Sequence, residues 1–373
     1  MKAKPLQEKK DSQFKGKIIH FTGKATSPEV SDVLRIANKV SQESLMKQLH
    51  ELAGPHTEGR GVGQPGIEIA KEYIADKFKQ LNLQPVKALG LNNYYEEFQL
   101  PQYPVRAMNR GPYIYGSLDR YGAHKKVTGT NVLGMIKGSE KPDEYIIISG
   151  HYDHLGKDTR NNVIFPGAND DASGVVTLME IARIMSEEQP PKKSVIFAAL
   201  TGEESGWLGA NQLSKDLVEK GLAKQVEVLN IEMLAAMKGN KIDIWDQKMP
   251  EVQGIVNNIV KAGKELGVKT KVFHDVDPGS DAIRFSTYNI PAASMVWDFD
   301  WSNHPTYHCA EDTPQSVDKK IFYEAARVAA GAAYLSANDT TPKLAPLHTE
   351  ESKLRAQELD AYRQNALNTK KPL

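Results

Sequence analysis

The sequence predicts an α/β fold, and three observations carry that prediction. Apolar runs that read as buried strands, "YIIIS" at 145–149, "SVIFAAL" at 194–200 and "QVEVLNIEM" at 225–233, are separated by polar loops. A stretch of helical period from Val175 to Met185 falls between the first two, which is α/β order. The chain, 373 residues long, can bury a large core, as one α/β domain with extensions or as two smaller domains.

Residues 1 to about 30 carry many lysines and few apolar side chains and read as an extension. From Ile36 through Val40, Leu45, Leu49 and Leu52 the apolar spacing predicts one helix, or a broken one, ending at "AGPH". The glycine-rich loop "TEGRGVGQPG" follows, and Ile67, Ala70, Ile74, Phe78 and Leu81 then mark one face of a helix that stops before "NLQP". After the central strands, residues 251–266 predict a helix on Val252, Ile255, Val256, Ile259 and Val260, and "IPAASMVW" at 290–297 a further strand. From "TPKLAPLH" onward the chain reads as a proline-marked linker and a charged terminal helix.

Composition narrows the partners. Lys plus Arg and Asp plus Glu both number 47, so the overall charge gives no reason to expect nucleic acid or an anionic membrane. The single cysteine, Cys309, excludes an intramolecular disulfide and a cysteine-rich zinc site. No apolar run approaches the roughly 18 to 20 residues of a membrane span, and the polar start has no signal-peptide core. The expected location is secreted or periplasmic with the signal removed, and the alternative is the cytoplasm.

Ligands of open α/β sheets bind beyond the carboxyl ends of the strands. There the sequence collects "GHYDHLG" (His151, Asp153, His154), "PGANDDASG" (Asp170, Asp171), Glu203 and Glu204 after "SVIFAAL", Glu232 in "VLNIEM", and "HPTYHCAEDTP" (His304, His308) before another helix. Each has a plain reading alone: Asp170 and Asp171 as helix caps, a lone histidine as structural, the glutamates as solvated strand ends. Together they converge on one edge of one sheet, and nitrogen and oxygen donors without sulfur suit zinc, manganese or cobalt in a catalytic site. Adjacent glutamates leaving a strand point in different directions, so one can hold a metal while its neighbour serves as a base. "HELAG" at 50–54 lacks the second histidine of H-E-x-x-H, no G-x-S-x-G elbow is present, and Cys309 beside His308 is a poor thiol-nucleophile signal.

At these residues, from about 45 to 335, the sequence resembles the co-catalytic di-zinc aminopeptidases of the aminopeptidase Y and secreted bacterial leucyl aminopeptidase type, related to glutamate carboxypeptidase II. The matching stretches include "TNVLGMIKGSEKPDEYIIISGHYDHLG", "PGANDDASG", "TGEESGWLG", "VLNIEM", "GSDAIRFSTYNIPAASM" and "YHCAEDTP". The resemblance implies a mixed, mostly parallel sheet sandwiched between helices in a single catalytic domain over 41–340, flanked by an extension (1–40) and a tail (341–373). It implies two zinc ions per chain, with His151, Asp170, Glu204, Glu232 and His308 as ligands and Asp170 bridging. Asp153 would orient the His151 ring, the peptide bond after Asp170 would be cis, and Glu203 would be the general base. Glu232 stands where the family usually has aspartate, and "GSDAI" lacks a histidine that many relatives carry after Asp281. His154 and His304 read as pocket-lining or structural, and Trp207, Phe299 and Trp301 as a wall for an apolar side chain.

The implied function is a zinc-dependent aminopeptidase acting on peptides with a free N-terminus, through a water shared by the metals. The alternatives are a single-zinc acyltransferase like glutaminyl cyclase, and a receptor or binding relative without metal.

Overall fold

Four apolar runs of the sequence become neighbouring parallel strands, so their carboxyl ends share one edge. The computed structural model describes residues 30–120, 124–277 and 279–341. Its strands are β1 (Tyr95–Gln102), β2 (Val105–Arg110), β3 (Tyr113–Leu118), β4 (Lys125–Ile136), β5 (Lys141–His151), β6 (Gly156–Asp158), β7 (Val163–Phe165), β8 (Lys193–Leu200), β9 (Val226–Glu232), β10 (Lys241–Trp245), β11 (Lys269–Phe273) and β12 (Ala292–Trp297). Eight of them form one sheet in the order β1-β4-β8-β5-β9-β12-β10-β11. The central run β8-β5-β9-β12 is parallel throughout, while β1, β4 and β10 join antiparallel. The sheet is mixed and mostly parallel, as the resemblance implies. Two hairpins, β2–β3 and β6–β7, stand apart from it.

The helices are α1 (Asp32–Ala37), α2 (Gln42–Leu52), α3 (Pro65–Gln80), α4 (Ser173–Ser186), α5 (Leu208–Glu219), α6 (Gln253–Leu266), α7 (Ala282–Thr287) and α8 (Lys319–Asn338). They cover both faces, which is why the central strands are apolar without alternation. Within β5, Ile146 and Ile148 pack into the layer holding α4 and α8, and Tyr145 and Ile147 into the layer holding α5 and α7. β8 divides the same way, Val195 and Phe197 against Ile196 and Ala198. A strand with two dry faces has its end free only at its tip, and there the polar residues gather.

Several expectations shift at their boundaries. The helix expected from Ile36 to Leu52 is broken, because Ser41 starts a new one: its hydroxyl accepts from the Ser44 amide at 3.1 Å. The first piece, α1, lies inside the stretch read as an extension and buries Val33 and Ile36. Residues 1–29 of that extension, and the linker and terminal helix expected beyond Thr341, lie outside the described residues. The edge strands β1 and β11 and both hairpins were not anticipated, since their side chains are only partly buried and carry weak patterns, and neither was β10, which is buried but only five residues long. No helix among the described residues is long and apolar enough to cross a membrane.

Asn131 of β4 ties three strands together: its amide donates to Glu96 of β1 at 2.6 Å, and its carbonyl accepts from the Thr201 amide after β8 at 3.0 Å. Burial pushes the Glu96 carboxyl up to about 8, only partly opposed by the Asn131 amide. The fold therefore holds a proton that the unfolded chain releases near 4.5, so this contribution to stability is whole at low pH and lost as pH rises through about 8. Glu96→Gln should flatten the pH dependence of chemical denaturation across that window. At pH 9 the variant should be more stable than the parent by roughly 1–3 kcal/mol.

Candidate metal centre

Register alone brings two of the expected ligands together. Ser149 of β5 and Asn230 of β9 are Cα partners in parallel strands, and their side chains touch at 2.7 Å. Two residues further along each strand, on the same face, stand His151 and Glu232. The neighbouring β8 ends at Leu200 and turns through Gly202, at φ +74°, into Glu203 and Glu204. The Glu203 carbonyl accepts from the amides of Gly206 and Trp207, both at 2.8 Å, which closes the turn and separates the two side chains.

Asp170 lies at the centre. Its Oδ1 is 3.3 Å from His151 Nε2, while its Oδ2 is 3.4 Å from His308 Nε2 and 3.7 Å from His154 Nδ1. Glu204 Oε1 approaches the same pair of histidines, at 3.2 Å from His308 and 2.8 Å from His154. One carboxylate thus faces one histidine with one oxygen and two with the other. The Asp170–Asp171 peptide is cis.

The backbone under this cluster is held by groups that sequence reasoning missed. Arg60, fully buried in the loop before α3, donates through its guanidinium to the carbonyls of Tyr152 (2.6 Å), Leu52 (2.8 Å), Pro166 (2.6 Å) and Gly167 (2.8 Å). It clamps the segment after His151 to the segment before Asp170. Burial pulls its pKa down to about 10, and Asp312, Asp153, Asp170 and Asp171 oppose that pull. Asp312 of "AEDTP" accepts from the amides of Asn169 (2.9 Å) and Asp170 (3.1 Å). Asp171 accepts from the amides of His151 (3.2 Å), Gly174 (3.0 Å) and Met233 (3.0 Å), tying three segments to one carboxylate. A Cβ on Gly174 would lie 2.5 Å from that carboxylate, and one on Gly167, at φ +57°, 2.5 Å from the His154 ring, so both glycines of "PGANDDASG" are required. A lone arginine in a glycine-rich loop carries no periodic signal. The only hint of Arg60 was its place in "TEGRGVG".

The adjacent glutamates are driven apart in acidity. Burial pushes both carboxyls up, but at Glu204 the His308 and His154 rings outweigh it and hold the group well below the usual range. At Glu203 burial is reinforced by Glu204, Asp281 and Glu232, outweighs His151, and raises the pKa well above the usual range. Neighbouring acids driven apart in this way titrate differently, Glu204 keeping its charge more readily than Glu203.

The other expected site residues have these places. His151 Nδ1 donates to the Asp153 backbone carbonyl at 3.1 Å, while the Asp153 carboxylate is 3.7 Å away. Asp153 thus steadies the ring mainly through its main chain, and its Oδ1 accepts from the Glu203 amide at 3.1 Å. Glu232 spends Oε1 on Asn230 (2.7 Å) and on the Asp281 amide (3.1 Å), and burial, then repulsion from Asp277, Asp171 and Asp281, raises its pKa well above the usual range despite His151. His304 is structural: its ring bonds Asn169 at 3.0 Å and the Trp297 carbonyl at 2.9 Å. His154, read as lining or structural, sits instead among the ligand atoms. Phe299, Trp301 and Tyr307 form a ladder of rings 5.0 and 4.7 Å apart that ends on His308, where Tyr307 stacks at 3.9 Å. Trp301 leaves 48% of itself exposed, whereas Trp207 lies apart under the Arg284 guanidinium. Burial pushes the Cys309 thiol up to about 11, which removes it as a nucleophile.

A divalent cation fits this cluster. Asp170 Oδ2, Glu204 Oε1 and both ring nitrogens of His154 are buried and make no hydrogen bond among the described residues. One donor atom each from His154, Asp170 and Glu204 lie within 4.8 Å of one another. Buried lone pairs turned toward a common point are costly without a cation, and an imidazole and carboxylate set suits zinc.

The model of Peptidase family M28 matches residues 131–333. The chain belongs to peptidase family M28. It is 39% identical over 178 residues to a "Probable zinc metalloprotease" of Pyrenophora teres f. teres, a match covering 47% of this chain and 32% of that relative. The chain therefore spans about a third of the length of that curated relative. It is 24% identical over 299 residues to mouse "Aminopeptidase NAALADL1", covering 69% of this chain and 38% of the relative. The structure of BSAP, a zinc aminopeptidase from Bacillus subtilis, has the same fold: TM-score 0.63 at 17% identity, covering 82% of this chain and 97% of that one.

Arg60→Met should destabilise this M28 domain by at least about 3 kcal/mol, because four buried carbonyls lose a charged donor. Arg60→Lys should recover only part of the loss, since an ammonium cannot span the fork. Chemical denaturation of the metal-free proteins measures both.

Proposed function

We propose that this M28 chain is a zinc-dependent aminopeptidase that releases the N-terminal residue of peptides and uses two metal ions. The observation that carries the reading is the split of Asp170, one oxygen toward His151 and the other toward His154 and His308, with Glu204 on the second side. A carboxylate so divided suits a bridge between two cations. His151, Glu232 and Asp170 Oδ1 would hold one, and Asp170 Oδ2, Glu204 and His308 the other. Bound there, the metals supply Lewis acidity toward a scissile carbonyl and lower the pKa of an attacking water.

The chain's own groups do the rest. Glu203, beside Glu204 and facing His151 and Glu232 electrostatically, takes the proton from the attacking water and returns it to the leaving amine. The Asp153 carboxylate holds the Glu203 backbone for this task. Buried acids around the cleft favour a protonated substrate amine, and the exposed face of Trp301 offers an apolar surface near His308. The fungal relative's description as a zinc metalloprotease and the mouse relative's as an aminopeptidase support this assignment.

Elemental analysis should find two zinc ions per chain, and a panel of aminoacyl anilides should be cleaved in a chelator-sensitive way. Glu203→Gln should lower kcat by about 10²–10⁴-fold with the metal content unchanged. One ion per chain with cyclisation of N-terminal glutamine would replace this reading with a cyclase. No ion and no turnover after zinc is supplied would replace it with a binding protein.

A further inference from the structure

We infer that Arg110, on β2, and Arg120, just after β3, bind a carboxylate carried by the residue that follows the scissile bond, so that the preferred substrates are peptides with a negative charge there. The inference rests on the metallopeptidase reading above and deepens it by naming the substrate class.

The β2–β3 hairpin is part of the wall of the centre. Its Gly116 amide donates to the His308 carbonyl at 2.7 Å, and its Ile114 carbonyl accepts from the Ala310 amide at 2.9 Å, so β3 pairs with the loop that carries His308. The Ile114 amide donates to the Glu311 carboxylate at 3.2 Å. Val105 of the same hairpin is buried in a cluster with Leu155 and Phe165. At the hairpin's base, Tyr103 and Leu118 line one small cavity with His154 and Glu204. Held at these points, the hairpin keeps its side chains in a fixed place beside the Glu204 half.

Two guanidiniums on this wall have donors to spare. Arg120 spends one N–H on the Glu204 carbonyl. The Arg110 guanidinium lies 5.0 Å from the centre of the Tyr115 ring, which is itself 6.1 Å from the His308 imidazole. Stacking on an aromatic face engages the plane of a guanidinium and leaves the N–H groups along its edge open. Neither arginine has a carboxylate at ion-pair distance among the described residues, whereas Arg106 of the same hairpin is paired with Asp119. Burial pushes the Tyr115 hydroxyl up, and Arg110, Glu204 and Arg120 all act on it, which gathers both cations and the glutamate around one ring.

Charge around the centre is therefore divided. Glu232 and Asp281 are buried beside Glu203 on the His151 side, while Arg110 and Arg120 stand on the His308 side. A substrate with an ammonium at one end and a carboxylate beyond the cleaved bond matches this division in one orientation only. A chain spans at most about 3.5 Å per residue, so a dipeptide carries its terminal charges about 7 Å apart. In a dipeptide the terminal carboxylate supplies the negative charge, and in a longer peptide an acidic side chain in the second residue supplies it. The planar fork of arginine fits either one with paired N–H donors.

The test uses the full zinc-loaded chain and compares kcat/KM within matched pairs: leucylglycine against leucylglycinamide, and the α-amide of leucylaspartate against that of leucylasparagine. In the parent the carboxylate member of at least one pair should be favoured by about 10-fold or more, and the preference should shrink as ionic strength rises. Preference in the first pair assigns the charge to the chain terminus, and preference in the second assigns it to a side chain. Arg110→Gln and Arg120→Gln should each cut the ratio by about 5-fold or more, chiefly through KM, and Arg110→Glu should invert it. Each ratio is taken within one protein, so partial loss of fold or metal cancels. Arg110 is exposed and holds no backbone group, so its variants decide the outcome if Arg120→Gln does not fold. No preference in either pair, or a ratio unchanged in the Arg110 variants, would overturn the inference while leaving the metallopeptidase reading in place. Absence of metal-dependent cleavage of all four peptides would overturn both.

Discussion

Concentrated negative charge in a dry place is the constraint on which this structure depends. Asp153, Asp170, Asp171, Glu204, Glu232, Asp281 and Asp312 are all buried around the carboxyl edge of a few neighbouring strands. Carboxylates lose hydration there and repel one another, so the arrangement stands only with cationic and hydrogen-bonding partners nearby. The protein meets this in two ways. Asp171 and Asp312 are satisfied by backbone amides and serve as structural struts. Asp170 and Glu204 are turned toward histidines with oxygens left open, which is the arrangement a cation completes.

The struts explain why the ligands hold their places. His151 and Glu232 are set by strand register, a rigid device, but Asp170, Glu204 and His308 come from loops. Arg60 ties the Asp170 loop to the segment after His151 through the Pro166, Gly167 and Tyr152 carbonyls, Asp312 from the His308 loop binds the Asn169 and Asp170 amides, and Asp171 binds the His151 and Met233 amides. Carbonyls take the arginine and amides take the aspartates, so the backbone groups at these points are matched within the protein. The same matching fixes the two glycines of "PGANDDASG", which leave no space for a side chain beside Asp171 or His154.

The paired glutamates connect this electrostatics to chemistry. They are chemically identical, one residue apart and both surrounded by acids, yet Glu204 faces two histidines and Glu203 faces three carboxylates and one histidine. A single tight turn after β8 produces that divergence, because adjacent residues leaving a strand diverge in direction. One sheet edge thereby presents two carboxyls in opposite electrostatic surroundings side by side.

Much of this was legible in the residues themselves. Buried parallel strands are apolar on both faces, so "YIIIS", "SVIFAAL" and "QVEVLNIEM" announced the central sheet, and the polar residues at their ends announced the site: His151, Asp170, Glu203, Glu204, Glu232 and His308 all lie there. What sequence could not supply was anything set by contacts between distant segments. The edge strands and hairpins have half-buried faces and no clean period, Arg60 and Asp312 act on backbone that only folding brings to them, and the "HYDHLG" motif does not say on which side of Asp170 each histidine falls. His154 is three residues from His151, yet it lies against Asp170 Oδ2 while His151 lies against Oδ1. Local composition determined which chemistry the edge can perform, because donor type and strand burial are written residue by residue. The tertiary structure alone decided which donors come together, because that depends on loop paths fixed by hydrogen bonds between segments distant in sequence, Arg60 with Gly167 and Asp312 with Asn169 among them.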